Sequence, residues 1–255
     1  MNKKGEAMSV KILWGVMVIG MMICSTTGAQ EAKPSDTQVW QPVPPVIVPG
    51  ENSQPPSDAI VLFDGEDVSR WQHKNGDAVK WEVRDGAMTV VKKTGAIITK
   101  QNFGDCQFHI EWRTPTIITG DGQKRGNSGV FFADRYEVQI LDSYKNETYV
   151  NGQAVAIYKQ HIPLVNASRP PGEWQSYDII YLAPRFTGNG ELESPAYMTV
   201  FHNGVLVHYH AELWGRTVNK GEPRYEAHPV EQPISIQDHG DPVSFRNIWI
   251  REMEW

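Results

Sequence analysis

The chain has 255 residues, 40% of them hydrophobic, a formal net charge of −6 and two cysteines. That acidic balance lacks the basic patch that phosphate backbones require, so nucleic acid is excluded as a partner. With one cysteine in a leader and one in the body, no disulfide staples the domain, and stability must come from a core.

The N-terminus has the layout of a secretory signal peptide. Lys3, Lys4 and Lys11 precede the apolar run "ILWGVMVIGMMI", which is too short to span a bilayer comfortably. The small residues Thr27 and Ala29 then offer a cleavage site before Gln30. Cys24 suggests a lipid anchor instead, but Ile23 is larger than the small residue that lipoprotein signals prefer there. The expected location is therefore periplasmic or secreted, with no membrane span. Removing residues 1–29 takes away three Lys and one Glu, moving the net charge from −6 to −8.

Residues 30–56 read as an extended arm, since seven prolines fall between Pro34 and Pro56. Proline fixes its own φ and has no amide donor to give a helix or sheet. A domain of roughly two hundred residues follows, from about Ser57 to Trp255.

Period-two alternation recurs along this domain, and no long stretch has helical periodicity. "KWEVRDGAMTVV" reads as a hairpin turning at Asp85-Gly86, and "YMTVFHNGVLVHYH" as another turning at Asn203-Gly204. "DCQFHIEWRT" places Phe108, Ile110 and Trp112 on one face and His109, Glu111 and Arg113 on the other. "RYEVQIL" sets Tyr136, Val138 and Ile140 against Glu137, Gln139 and Leu141. "WQSYDIIYL" and "FRNIWIRE" complete the strong strands. Many short strands with Gly, Pro and Asn turns predict an all-β sandwich of two antiparallel sheets, a jelly roll. The long segment "GQAVAIYKQHIPLVNASRPPG" carries enough apolar residues to fold over one sheet edge.

The polar faces carry the chemistry. Glu137 and Gln139 are neighbours about 7 Å apart on one strand face. Asp142 falls on the opposite face unless a β-bulge at Ile140-Leu141 switches the alternation. With that bulge, two carboxyls flank an amide, an arrangement suited to acid/base work on a sugar. Glu111 and Arg113 join the same patch if their strand lies in the same sheet. Gln237, Asp238 and His239 sit at a strand end, with Arg246 on the returning strand. Asn127, Ser128, Arg135 and Tyr158 are further candidates for binding a polyhydroxylated ligand. No spacing requires a cofactor, though Asp238, His239 and a carboxylate could hold a divalent cation. His208 and His210 are expected to be solvent-exposed.

Six segments, "IVLFDGEDVSRW", "KWEVRDGAMTV", "FHIEWRT", "RGNSGVFFADRYEVQILDSY", "PGEWQSYDIIY" and "IQDHGDPVSFRNIWIR", together resemble the 3-keto-disaccharide hydrolase domain family. The resemblance spans residues 57–251 and implies a concanavalin A-like jelly roll. The Glu137-x-Gln139-x-x-Asp142 run also resembles the Glu-x-Asp-x-x-Glu strand of laminarinase-type glycosidases, with an amide in place of the middle acid.

The family implies chemistry on a glycoside carrying a C3 carbonyl, which acidifies the hydrogen on C2. A base removes it, the C1 substituent leaves, and water adds back. On this scheme Glu137 or Glu111 is the base and Asp142 or His239 the acid. Arg113, Gln139 or a metal then steadies the enolate. The competing expectations are a non-catalytic carbohydrate-binding module on the same fold and an ordinary glucan hydrolase.

Overall fold

The computed structural model describes residues 32–253. The expected leader and cleavage site, with Cys24, lie outside the described residues. The chain divides into two compact units, residues 1–45 and 46–255. In the described part of the first, Pro34–Thr37 forms one 3-10 turn.

The second unit takes in the end of the proline-rich stretch. Ser57 donates its backbone N–H to Val48 O, and its hydroxyl accepts from the Val48 N–H. The carbonyl of Ser53 accepts hydrogen bonds from Asn247 Nδ2 (2.9 Å) and Trp249 Nε1 (3.1 Å). The end of the proline-rich arm is thus tied to the sheet.

Fifteen strands follow: β1 (Ile60–Phe63), β2 (Trp71–His73), β3 (Glu82–Arg84), β4 (Ala87–Thr89), β5 (Ile97–Thr99), β6 (Cys106–Arg113), β7 (Ser128–Phe132), β8 (Tyr136–Ile140), β9 (Gln175–Leu182), β10 (Arg185–Phe186), β11 (Leu192–Ser194), β12 (Tyr197–His202), β13 (Val205–Glu212), β14 (Ser235–Ile236) and β15 (Ser244–Glu252). They form two main antiparallel sheets. One is ordered β13-β12-β9-β6-β15-β4-β3, with β1 also on β15; the other is β2-β5-β14-β7-β8. A small β10-β11 pair stands apart from both. The predicted hairpin turns occur as read. Asp85 and Gly86 both have positive φ (53° and 75°), as do Asn203 and Gly204 (52° and 77°), matching the twist of the strands they join.

The core lies between the two sheets. Phe108, Ile110 and Trp112 from β6 and Tyr177, Ile179 and Tyr181 from β9 meet Val130, Phe132, Tyr136, Val138 and Ile140 from β7 and β8. Phe108 meets Phe132 edge-on at 5.5 Å, and Phe132 lies 4.7 Å from Tyr181. Burying each such side chain is worth about 1.5–3 kcal/mol. Cys106 is a fully buried free thiol.

The expected β-bulge is not in the β7–β8 ladder, which pairs without interruption from Ser128↔Ile140 to Phe132↔Tyr136. A bulge does interrupt β15. There Arg246 pairs with Glu111, but Trp249 pairs with His109, leaving an extra residue between them. Asn247 takes the positive φ of 46° that this kink needs. The bulge turns Trp249 away from the core, against His109 (5.1 Å, nearly parallel rings). Of the histidine pair, His210 is exposed as expected, but His208 is buried and bonded to Val155 O at 2.9 Å.

Candidate active site

The outer face of the five-stranded sheet carries a groove. Glu137 and Phe131 are direct cross-strand partners on β8 and β7, and Ser235 of β14 is the next in the row. Two residue pairs along, on the same face, lie Gln139 and Gly129, with Gln237 N–H bonded to Gly129 O at 3.0 Å. These side chains alternate with the core set, so a period of two sends every second residue of β7 and β8 into the groove. The long segment after β8 closes the exposed edge. Val155 N–H donates to Gln139 O (2.8 Å), Gln139 N–H donates to Ala156 O (2.9 Å), and Tyr158 N–H donates to Glu137 O (3.1 Å).

A pocket of about 330 Å³ opens here, lined by residues that include Asn127, Phe131, Glu137, Gln139, Tyr158 and His239. Thr217, Asn219 and Gln237 complete its wall. A second lobe of about 300 Å³ shares Phe131, Thr217 and Gln237 with it and continues toward Arg135.

Glu137 is 5% exposed. Burial pushes its carboxyl from 4.5 up to about 8, with no cation opposing the shift. Gln139 is its close neighbour; with its amide turned to donate, it reaches Ser128 O at 2.8 Å and Glu137 Oε1 at 3.2 Å. The hydroxyl of Tyr158 pairs with that of Tyr149 at 2.5 Å. Burial and this partner push the Tyr158 hydroxyl above its ordinary range. Gln237 contributes a buried amide oxygen with no hydrogen-bond partner. An unsatisfied acceptor in a pocket wall suits a ligand hydroxyl, since buried polar groups are otherwise almost always paired.

Several sequence candidates lie elsewhere. Asp142 follows the end of β8, and its carboxylate is bound to Arg125 Nε at 2.6 Å and to Tyr144 N–H at 3.1 Å. Ile140 and Leu141 do both enter the core, so the alternation breaks where expected. The strand has ended by then, and Asp142 joins a buried ion pair instead of the groove. Ser128 pairs with core-facing Ile140 and spends its hydroxyl on Gln237 O (2.7 Å). Asp238 accepts from the Gly95 and Gly240 amides (3.0 and 2.9 Å), so it braces a turn. Among the described residues, no three His, Cys, Asp or Glu side chains converge as metal ligands would.

Glu111, Arg113 and Arg246 belong to the other sheet, because β6 pairs with β9 and β15 and not with β7 or β8. Glu111 and Arg246 line a separate hollow of about 430 Å³ with Asn52, Gln54 and Asn247. Burial opposes ionisation of Glu111, but His109, Asn247 and Arg246 outweigh it and hold the carboxyl at about 2. Arg246 Nε sits 2.6 Å from Glu111 Oε2. Arg113 and Arg246 both lie over the Trp174 ring, at 4.5 and 4.1 Å. A carboxylate this well satisfied is a feeble base.

The sequence reading did not single out Phe131, Thr217 or Asn219. Phe131 had a usable signal, an aromatic on the strand face that otherwise carries Gly129, Glu137 and Gln139. Thr217 and Asn219 come from a segment without periodicity.

Fold and site together define an all-β sandwich with a buried carboxyl in a polar groove. Residues 58–251 match the 3-keto-alpha-glucoside-1,2-lyase-like domain, and the chain belongs to that family. It is 22% identical to the 3-keto-disaccharide hydrolase of Bacteroides thetaiotaomicron, over 80% of this chain and 82% of that one. A crystal structure from Parabacteroides distasonis ATCC 8503, whose protein carries a provisional glycosyl hydrolase name, is 51% identical. It superposes with a TM-score of 0.84 over 87% of this chain and 97% of that one. A second structure from that strain, also provisionally named a glycosyl hydrolase, shares the fold at 21% identity and a TM-score of 0.56, over 77% of this chain and 94% of that one.

Proposed function

We propose that the protein is an exported glycoside-cleaving enzyme that acts on 3-keto-glycosides by elimination and hydration, with Glu137 as the base. The observation that carries this reading is a carboxyl buried without a cation and raised to about 8, inside a groove lined by neutral polar groups. The family membership and the relatives' names support a sugar substrate. The leader-like N-terminus supports export.

A C2 hydrogen beside a C3 ketone is a weak acid, so its removal needs a base whose conjugate acid is also weak. Raising Glu137 toward neutrality increases the driving force for proton transfer while leaving a useful ionised fraction. In the first step the C2–H bond breaks and its proton moves to Glu137. The C1–O bond then breaks, and the departing oxygen takes a proton. Water finally adds its hydroxyl to C1 as a proton returns to C2, giving the free 3-keto sugar.

Of the two acids suggested by sequence, Asp142 is committed to Arg125, whereas His239 lines the pocket. We assign His239 the proton for the leaving oxygen, since Tyr158, with its raised pKa, is the poorer donor. The Asn127 amide lines the pocket; with one N–H on Gln123 O (2.7 Å), it keeps the other as a donor for the enolate oxygen. Phe131 offers an apolar floor for one face of the sugar ring.

The test is turnover of a 3-keto-disaccharide or a 3-keto-glucoside, followed by reducing-sugar release. Glu137→Gln is expected to lower kcat by about 100-fold or more while the fold is retained. Activity near the wild-type level in a folded Glu137→Gln protein would refute the assignment.

A further inference from the structure

The second lobe differs in charge from the first. Lys74, Arg135 and Arg216 line it against a single carboxylate, that of Asp134. Asp134 is already engaged, 2.7 Å from Lys74 Nζ and 2.6 Å from Ser235 Oγ. Arg216 has a loose partner in Glu226, at 3.4 Å, with both side chains about half exposed. Among the described residues, Arg135 has no such partner. Its Nη1 reaches only the carbonyl of Ala133, at 3.2 Å, and its Nε is buried without any hydrogen bond. Nor does it neutralise Glu137, whose shift has burial as its sole cause.

A guanidinium with an unsatisfied buried donor, on the wall of a cavity, lacks an acceptor that the protein does not provide. Arg135 ends the turn just before β8, two residues ahead of Glu137, and lines the second lobe. A sugar with C2 presented to Glu137 fills the first lobe, and whatever is attached at C1 is left the second. We infer that the second lobe binds a glycoside's leaving group through a negative charge, a carboxylate or a sulfate, held by Arg135 and Arg216. This rests on the elimination reading above, which puts the keto sugar in the Glu137 lobe. Planar, multidentate donors favour oxyanions of this kind.

The test separates binding from turnover. Calorimetry on the Glu137→Gln protein would compare three plain glucosides, phenyl, 4-carboxyphenyl and 4-sulfophenyl, which undergo no reaction. At least one anionic probe is expected to bind about tenfold more tightly than the phenyl glucoside, and the tighter of the two identifies the anion. This preference should shrink as ionic strength rises. In Arg135→Gln the preference should vanish. Arg216→Gln, further from the buried wall, provides a second variant in case the first fails to fold, and should reduce it. Equal affinity for all three probes, failure of all three to bind, or a preference that persists in folded forms of both variants overturns the inference. Failure of the elimination reading would look different: tight anionic binding, but no turnover of any 3-keto-glucoside by the wild type.

Discussion

The carboxylate of Glu137 occupies the space that a side chain on Gly129 would need. A Cβ built on Gly129 would come within 2.6 Å of Glu137 Oε1 and 3.0 Å of Phe131 Cε2. The backbone there is ordinary extended strand, so glycine serves to leave room and not to permit an unusual φ. Gly129→Ala should therefore push the carboxylate aside with little effect on the ladder. A displacement of about 1 Å from a productive position can cost on the order of 100-fold in rate. The expected result is a fall in kcat of that order with a melting temperature near that of the wild type. Unchanged turnover would show that the position of Glu137 does not matter to the reaction.

The pH dependence follows from the raised carboxyl of Glu137. As a base it must be ionised, so kcat/KM should climb with pH, reach half its maximum near 8, the value that burial gives it, and level off above that. Stability should run the other way. Between 4.5 and about 8 the unfolded chain has released this proton while the folded protein still holds it. The folded state then binds more protons, and stability falls as pH rises through that window. Glu137→Gln removes the titrating group. Its melting temperature should exceed that of the wild type at pH 8, and the gap should close toward pH 4.5. Parallel melting curves for the two proteins across this range would contradict the raised value.

How far the sequence revealed the site depends on the range of the interactions involved. Alternation on β6, β8 and β9 and the dipeptides Asp85-Gly86 and Asn203-Gly204 are local signals, and the two-sheet architecture follows from them. The pairing of Glu137 with Gln139 on one face is local too. Whether Glu111 joins them depends on which strands pair, a choice made by contacts distant in the chain. Those contacts put β6 beside β15 and leave β8 in the other sheet. Asp142 shows a different limit. The break at Ile140-Leu141 is visible in sequence, but the partner that captures Asp142 is Arg125, in the loop before β7. The bulge at Asn247 gave no signal in the alternation of "FRNIWIRE".

Phe131 is half-buried at the boundary of the two lobes and lines both. Replacing it with Ala should remove a ring face for the sugar and raise KM by about tenfold, with a smaller effect on kcat. Phe131→Tyr keeps the ring and should recover most of the affinity. If the Ala and Tyr variants have the same KM, the ring does not contact substrate.

Glu111 is expected to matter for stability more than for turnover. Its carboxylate joins β6 to β15, with Arg246 Nε at 2.6 Å and Asn247 Nδ2 at 2.9 Å. Because its folded pKa is depressed to about 2, its contribution is present above 4.5 and disappears as pH falls through about 2. Glu111→Gln should cost about 1–3 kcal/mol near neutral pH, and less at pH 3. Its kcat on a 3-keto-glucoside should stay within about threefold of wild type. A 100-fold loss of kcat at unchanged stability would instead make the second hollow a catalytic one.

Asp142 poses the same question in a more buried setting. Its side chain is 3% exposed and that of Arg125 is 11% exposed. Arg125 also donates through Nη2 to Tyr144 O at 3.0 Å, fastening the turn that follows β8. Removing one charge of such a pair leaves the other buried and unmatched, at a cost of about 3–5 kcal/mol. Asp142→Asn should therefore lower the melting temperature markedly. The double variant Arg125→Met/Asp142→Leu should recover part of the loss, because no unmatched charge remains. If Asp142 is structural, the folded fraction of Asp142→Asn keeps a near-normal kcat, measured well below its melting temperature. If it instead reached the substrate as an acid, kcat would fall by about 100-fold or more even where the protein is fully folded. The double variant would then regain stability without regaining activity.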